Sequence, residues 1–133
     1  MLVKRYGILN AEIASVLAHL GHTDAIAIAD CGLPIPVGPQ RIDVSIRKGL
    51  PSFVDVLDEV REDMVIEKVV FAEEIKTRNQ KLHAKIVERF PDTPIAYVPH
   101  EQLKILSSGC KAIIRTGEAT PYANVILYAG VIF

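Results

Sequence analysis

The sequence has 133 residues, of which half are apolar and 23% are charged, as in an ordinary globular domain. Its formal net charge is −1, so charge gives no reason to expect nucleic acid or an anionic membrane as a partner. No signal peptide or membrane-spanning stretch is apparent, and the two cysteines form no CxxC pair. We therefore expect a cytoplasmic protein in a reducing setting.

The first third of the chain predicts a helix followed by two strands. Asn10 is a good N-cap for a helix with apolar residues at i, i+3, i+4 and i+7, and Gly21 can end it in the left-handed conformation. Residues 25–29 (AIAIA) predict a buried strand that ends at Asp30. The next ten residues hold two glycines and three prolines, which predicts a rigid loop before a short strand at 41–46.

The rest of the chain alternates between helices and strands. Pro51 suits the first turn of a second helix, whose apolar face runs from Phe53 to Met64. Apolar periodicity then predicts helices at 79–90 and 99–109, and strands at 68–72, 94–98, 111–116 and 124–133.

This alternation predicts an α/β fold: a single domain over residues 1–133 with a central, mostly parallel sheet and helices on both faces. The last strand ends on Val131, Ile132 and Phe133 without a polar residue. Because chain ends usually fray in water, an apolar end predicts either a last core strand or a subunit contact.

Two polar residues flank the first predicted strand, at 25–29. His22 has an ordinary structural explanation as a surface histidine near a helix end, and a functional one as a general acid or base that titrates near neutral pH. Asp30 either caps a turn or presents a carboxylate at the strand end, where α/β folds bind ligands. The chain lacks a glycine-rich nucleotide motif, a P-loop and a GxSxG motif.

A metal site is not supported by these residues. His19 and His22 form an HxxH pair with Asp24 nearby, but the glutamate of zinc-protease helices and a third ligand are missing. We therefore expect no metal and no cofactor. Cys31 is more easily explained as a small buried thiol than as a nucleophile.

Further candidates lie in the second half of the chain. His100 follows Pro99 at a helix start, where the helix dipole favours a neutral ring that can hydrogen-bond a ligand. Tyr122 and Asn124 lie in the polar stretch TGEATPYAN, which is longer than a hairpin needs. Neutral groups that both donate and accept hydrogen bonds suit the hydroxyls of a polyol, although a polar turn would also explain these residues.

Five strings together resemble the D-ribose pyranase family, which is related to the fucose mutarotases. They are GILN at 7–10, LGHTD at 20–24, IADCGLPIP at 28–36, IRTGE at 114–118 and TPYAN at 120–124. The resemblance implies that His22 is the catalytic proton donor and that the sugar contacts are Asp30, His100, Tyr122 and Asn124. Cys31 departs from the family, where a small residue such as alanine is expected.

The resemblance also implies an activity and an assembly. The activity is an isomerase reaction that converts β-pyranose to β-furanose forms of free D-ribose, alongside ribose import and phosphorylation. The assembly is a homo-oligomer of two stacked pentameric rings, with sites at subunit boundaries. Two alternatives remain: a mutarotase for another sugar such as fucose, and a non-catalytic sugar-binding accessory of ribose transport.

The mechanism follows from what ring opening needs. A proton must reach the ring oxygen while another leaves the anomeric hydroxyl, and a different hydroxyl then closes the ring. Acid–base help of this kind contributes roughly 10²–10⁴-fold. His22 would be the acid, and Asp30 would orient or deprotonate the sugar; the sequence leaves the identity of the base open.

Overall fold

Apolar runs and amphipathic segments fold into six strands and five helices in the computed structural model, which describes residues 4–133. The helices are α1 (Ala11–His19), α2 (Phe53–Asp63), α3 (Ile75–Arg78), α4 (Gln80–Val87) and α5 (His100–Ser107). The strands are β1 (Ala25–Ala29), β2 (Gln40–Asp43), β3 (Ile66–Ala72), β4 (Ile95–Val98), β5 (Ala112–Arg115) and β6 (Val125–Ala129). None of these helices is long and apolar enough to cross a bilayer.

The strands form one sheet in the order β2-β5-β1-β6-β3-β4. Strand β6 pairs antiparallel with β1 and β3, and the other pairings are parallel. The predicted mostly parallel sheet is therefore confirmed. At one edge, here called the carboxyl edge, the carboxyl ends of the five parallel strands meet the amino end of β6. The amino edge is the opposite one.

Helices cover both faces of the sheet, as predicted, but unequally. Side chains from α1, α2, α3 and α4 pack on one face around isoleucines 26 and 28 of β1 and Phe71 of β3. On the other face α5 contributes Leu103 to a smaller cluster built on the alanines of β1. Ile105 of α5 remains 64% exposed. The face that carries α5 is therefore the less completely covered of the two within residues 4–133.

The predicted ends of α1 and of β6 were wrong. Helix α1 ends at His19 with Leu20 in an extended conformation, so Gly21 is not a left-handed cap. The positive φ falls on Thr23 (72°), whose N–H donates to the carbonyl of Ala129. Strand β6 ends at Ala129, and residues 131–133 are exposed. The apolar chain end is thus no core strand, which leaves the subunit-contact alternative.

Residues 75–87 form two helices where one was predicted at 79–90. The short helix α3 precedes Asn79, whose φ of −147° and ψ of 57° interrupt the helical path before α4 begins. Ile75 of α3 is fully buried and joins the larger core cluster. The interruption places the Asn79 side chain where it contacts the loop that precedes β6.

Gly117 provides a test of the packing at the carboxyl edge. A Cβ at this position would lie 2.5 Å from the Leu50 carbonyl oxygen and 2.6 Å from that of Arg47. We expect Gly117→Ala to lower the free energy of unfolding by about 1–3 kcal/mol, the usual cost of overpacking. Denaturant titration measures this. The control is Gly109→Ala, whose Cβ would meet the Leu106 carbonyl oxygen at 3.6 Å; equal losses in both variants would contradict the account.

Candidate functional site at the carboxyl edge

The carboxyl edge brings together four of the five residues predicted to act on a sugar. Asp30 directly follows β1, Asn124 directly precedes β6, and His100 begins α5 after β4. Tyr122 lies in the loop between β5 and β6. Asp30, His100 and Tyr122 line a cavity of about 250 Å³, here called the edge pocket, together with Gly32, Leu33 and Pro121. An adjoining cavity of about 260 Å³ continues past Cys31 and Glu118.

Asp30 and Asn124 hold each other through two hydrogen bonds. The Asp30 N–H donates to Asn124 Oδ1 at 2.9 Å, and Asn124 Nδ2 donates to Asp30 Oδ2 at 3.3 Å. The Gly32 N–H donates to Asp30 Oδ1 at 3.0 Å. Asn124 is buried, so its amide is fixed by these contacts. The pair therefore sets the position of the carboxylate at the wall of the edge pocket.

Burial raises the pKa of the Asp30 carboxyl above its ordinary value. Hydrogen bonds from the backbone of Gly32, Leu33 and Ala123 and from the Asn124 amide oppose this shift but do not cancel it. A carboxylate with a raised pKa is a stronger base than an exposed one. Asp30 is thus equipped both to accept a hydrogen bond from a hydroxyl and to accept its proton.

Two rings form another part of the edge pocket. The His100 and Tyr122 rings meet edge to face, with centroids 5.0 Å apart and planes at 83°. Tyr122 has a φ of 58°, a left-handed conformation that is uncommon for a bulky residue and is often found at functional sites. His100 Nδ1 is buried and has no hydrogen-bond partner within residues 4–133.

Carboxylates that sequence reasoning missed hold these elements in place. Glu74 accepts hydrogen bonds from the His100 N–H, at 3.0 Å to Oε1 and 3.2 Å to Oε2, and so fixes the start of α5. Glu118 accepts from the Phe53 N–H through Oε1 and from the Thr120 hydroxyl through Oε2. The position of Glu118 inside the polar stretch was visible in the sequence, whereas its long-range contact to α2 was not.

Asn79 is a further anchor of the same loop. Its Nδ2 donates to Thr120 Oγ1 at 2.9 Å and to the Pro121 carbonyl at 2.8 Å. Pro121 and Tyr122 are both lining residues of the edge pocket. The break between α3 and α4 therefore serves to hold the loop that shapes the pocket.

His22 does not join the other candidates. It precedes β1 and lies at the amino edge, where its Nε2 is 2.9 Å from Oε2 of Glu67. Asp30 lies at the far end of β1, and five strand residues at about 3.3 Å each separate the two ends by roughly 16 Å. Within one chain, His22 and the edge pocket therefore cannot act on the same small molecule.

The remaining sequence hypotheses concern a metal and Cys31. Residues 4–133 contain no group of three or more His, Cys, Asp or Glu side chains arranged to hold a metal. His19 is exposed, and its Nδ1 lies 2.7 Å from the Ser15 carbonyl. Cys31 is exposed beside the cavity, so the expectation of a buried thiol was wrong.

Comparisons with known proteins agree on one family. Residues 3–132 match the family model described as the RbsD / FucU transport protein family. A Bacillus cytotoxicus protein named D-ribose pyranase is 58% identical over 131 residues, which cover 98% of this chain and 100% of that protein. A Bacillus cereus protein of the same name matches equally well.

Solved structures agree with the sequence comparison. The structure of Bacillus subtilis RbsD complexed with D-ribose is 51% identical, has a TM-score of 0.95 and is matched over 98% of this chain and 99% of that one. The fucose mutarotase from Streptococcus pneumoniae, in complex with L-fucose, is 23% identical with a TM-score of 0.73, over 93% of this chain and 94% of that one. The second likeness shows the shared fold.

The raised pKa of Asp30 predicts how stability changes with pH. Below pH 3.8, the ordinary pKa of an aspartate, the Asp30 carboxyl is protonated in both the native and the unfolded state. As pH rises through the raised native pKa, the native state loses the stability that the protonated carboxyl contributed. Asp30→Asn lacks this loss. We therefore expect the melting temperature of Asp30→Asn, relative to the unsubstituted protein, to increase from about pH 4 to about pH 7.

Melting curves across this pH range test the prediction, with Glu62→Gln as the control because Glu62 is an exposed residue of α2. The control should show no such trend. A relative melting temperature of Asp30→Asn that decreases as pH rises would mean that the native state favours the charged carboxylate, contrary to the account.

Proposed function

Because the chain belongs to the RbsD / FucU transport protein family, we propose that it is a D-ribose pyranase. It is an isomerase that interconverts the β-pyranose and β-furanose forms of free D-ribose by opening and reclosing the ring. In this proposal residues 1–133 are one ring-form isomerase domain that works in the cytoplasm and needs neither metal nor cofactor.

The observation that carries the proposal is the identity of 58% with a curated D-ribose pyranase over its full length. The TM-score of 0.95 to the ribose-bound relative, over 98% of this chain, indicates that the two chains share the same fold over that length. The edge pocket supports the proposal independently, because its polar groups are a carboxylate, a phenol and an imidazole. Such groups recognise hydroxyls without requiring a charged ligand.

Ring opening requires two coordinated proton transfers. One proton is delivered to the ring oxygen as the bond from that oxygen to the anomeric carbon breaks. Another leaves the anomeric hydroxyl, which becomes the carbonyl oxygen of the open aldehyde. Rotation about the carbon chain then presents a different hydroxyl to the carbonyl carbon, and closure reverses both transfers. No electrons are exchanged with the protein, so acid–base groups suffice.

In the proposed mechanism the edge pocket binds the sugar and supplies the base. Asp30 accepts the anomeric proton, a role for which its raised pKa and its fixed position beside Asn124 are suited. Tyr122 and His100, which line the pocket, hold further hydroxyls. Asn124 contributes mainly by fixing Asp30, since both ends of its amide are engaged.

The proton donor in this proposal is His22 of a second copy of the chain. Within one chain β1 separates His22 from Asp30, so a site that uses both must be completed by a neighbour. His22 and Glu67 are both exposed, so a neighbour can approach them. This arrangement makes activity depend on assembly.

Exposed apolar side chains support such an assembly. Ile132 is 92% exposed and Phe133 is fully exposed after the end of β6, and Ile105 is exposed on the face that carries α5. Exposed apolar groups of this size are commonly buried between subunits. We propose a homo-oligomer of two stacked pentameric rings, the arrangement that the sequence resemblance implies.

The proposal predicts a specific effect of removing the imidazole. His22→Ala should slow exchange between the pyranose and furanose forms of ribose by about 10²–10⁴-fold, the usual contribution of general acid catalysis. The melting temperature should change little because the ring is exposed. NMR exchange spectroscopy of D-ribose measures the rate. The matched control is His19→Ala, which removes the other exposed histidine of HxxH and should leave the rate unchanged.

The same assay separates the competing functions. Exchange that is accelerated for fucose but not for ribose would assign the protein to a different sugar. Ribose binding without any acceleration would make the protein a sugar-binding accessory. A fully active His22→Ala variant would remove His22 from the mechanism.

A further inference from the structure

The strand that carries Glu67 departs from regular pairing at this residue. In the ladder between β3 and β6, Ile66 pairs with Ala129 and Lys68 pairs with Tyr128, which leaves Glu67 as the extra residue of a β-bulge. A bulge interrupts the ladder and changes the direction in which a side chain points, and bulges are over-represented beside active sites. Glu67 is exposed, so the bulge is not explained by burial of its side chain.

The bulge brings the Glu67 carboxylate to His22. Oε2 lies 2.9 Å from His22 Nε2, although 45 positions separate the two residues in the sequence. The side chains are 42% and 53% exposed, so the pair faces the surface where a second copy could approach. Salt bridges this exposed contribute little to stability. The contact is therefore better explained by what it does to the imidazole than by what it adds to the fold.

The backbone around the end of β6 also favours the contact between Glu67 and His22. Gly130 follows β6, and a Cβ there would lie 3.3 Å from the Glu67 Cβ and 3.1 Å from Val65 Cγ1. The turn that carries His22 is held by a bond from the Thr23 N–H to the Ala129 carbonyl at 2.9 Å. The Gly130 N–H also donates to the carbonyl of Val65, two residues before Glu67, at 2.8 Å. The end of β6 therefore bonds to the backbone on both sides of the pair.

We propose that Glu67 is a positioning residue for the ring-opening reaction: its carboxylate accepts a hydrogen bond from His22 Nε2–H, which fixes the ring and directs Nδ1 to the sugar. The ring nitrogens are distinct, and the hydrogen bond made by one determines which proton the other carries. The proposal rests on the proposed function of His22 as the acid.

Kinetics of two Glu67 variants test the proposal on the intact assembly. Glu67→Ala should lower kcat for ribose exchange by about 10–100-fold, the scale on which orienting partners of metal-bound imidazoles contribute. KM should stay nearly constant, because Glu67 does not touch the sugar. Glu67→Gln can still accept the Nε2–H bond through its amide oxygen, so it should recover part of the lost kcat. Lys68→Ala, at the neighbouring exposed position of the bulge, should leave kcat unchanged.

A spectroscopic measurement tests the contact in protein that keeps Glu67. In protein labelled with ¹⁵N-histidine, the neutral His22 ring should be the Nε2–H tautomer, assigned by comparison with the His22→Ala spectrum. A neutral ring protonated at Nδ1 would overturn the proposal even if Glu67→Ala failed to fold.

The activities of the His22→Ala and Glu67→Ala variants distinguish the role of Glu67 from that of His22. An inactive His22→Ala variant beside a fully active Glu67→Ala variant would overturn the role of Glu67 and leave the proposed function intact. Full activity in both variants would overturn the role of His22 as the acid, and the role of Glu67 with it. A rise in KM without a fall in kcat for Glu67→Ala would make Glu67 a sugar-binding residue, which also contradicts positioning.

Discussion

The buried strand β1 is the constraint on which the arrangement of functional groups depends. Its five residues are entirely buried, and it pairs with β5 on one side and β6 on the other. It therefore cannot bend to bring its two ends together. His22 lies before the strand and Asp30 after it, so a catalytic pair made of these residues has to be assembled from two chains. On this account the fold acquires a complete site by association.

The edge pocket depends on β6, which runs antiparallel to β1 and β3. Since β6 runs against its neighbours, its amino end reaches the carboxyl edge and places Asn124 beside Asp30. The loop before it contains Tyr122 in a left-handed conformation. Two other parts of the chain hold this loop: the Phe53 N–H donates to Glu118 of the loop, and Asn79 donates to the Pro121 carbonyl. The same reversal brings the end of β6 to the amino edge, where it supports the turn of His22.

Much of this could be predicted from the sequence, because strong periodicity identifies elements and strand ends identify ligand positions. The buried run AIAIA and the polar residue after it were enough to predict β1 and to propose Asp30. Long-range contacts could not be predicted in this way. The contact of Glu67 with His22 and the cap of Glu74 on α5 join residues that lie 45 and 26 positions apart. The end of α1 was also missed, because Gly21 permits a left-handed turn without requiring one.

Mixing two inactive variants tests the central claim that each site is built from two chains. His22→Ala and Asp30→Asn subunits, each expected to be inactive alone, are co-assembled in equal amounts and assayed for ribose ring exchange. Random assembly gives about a quarter of the sites an intact His22 from one chain and an intact Asp30 from its neighbour, so about a quarter of the original activity should return. The control mixes His22→Ala subunits with subunits that carry both His22→Ala and Asp30→Asn. This mixture should restore no activity. A mixture as inactive as its components would show that the site lies within a single chain and would contradict the account.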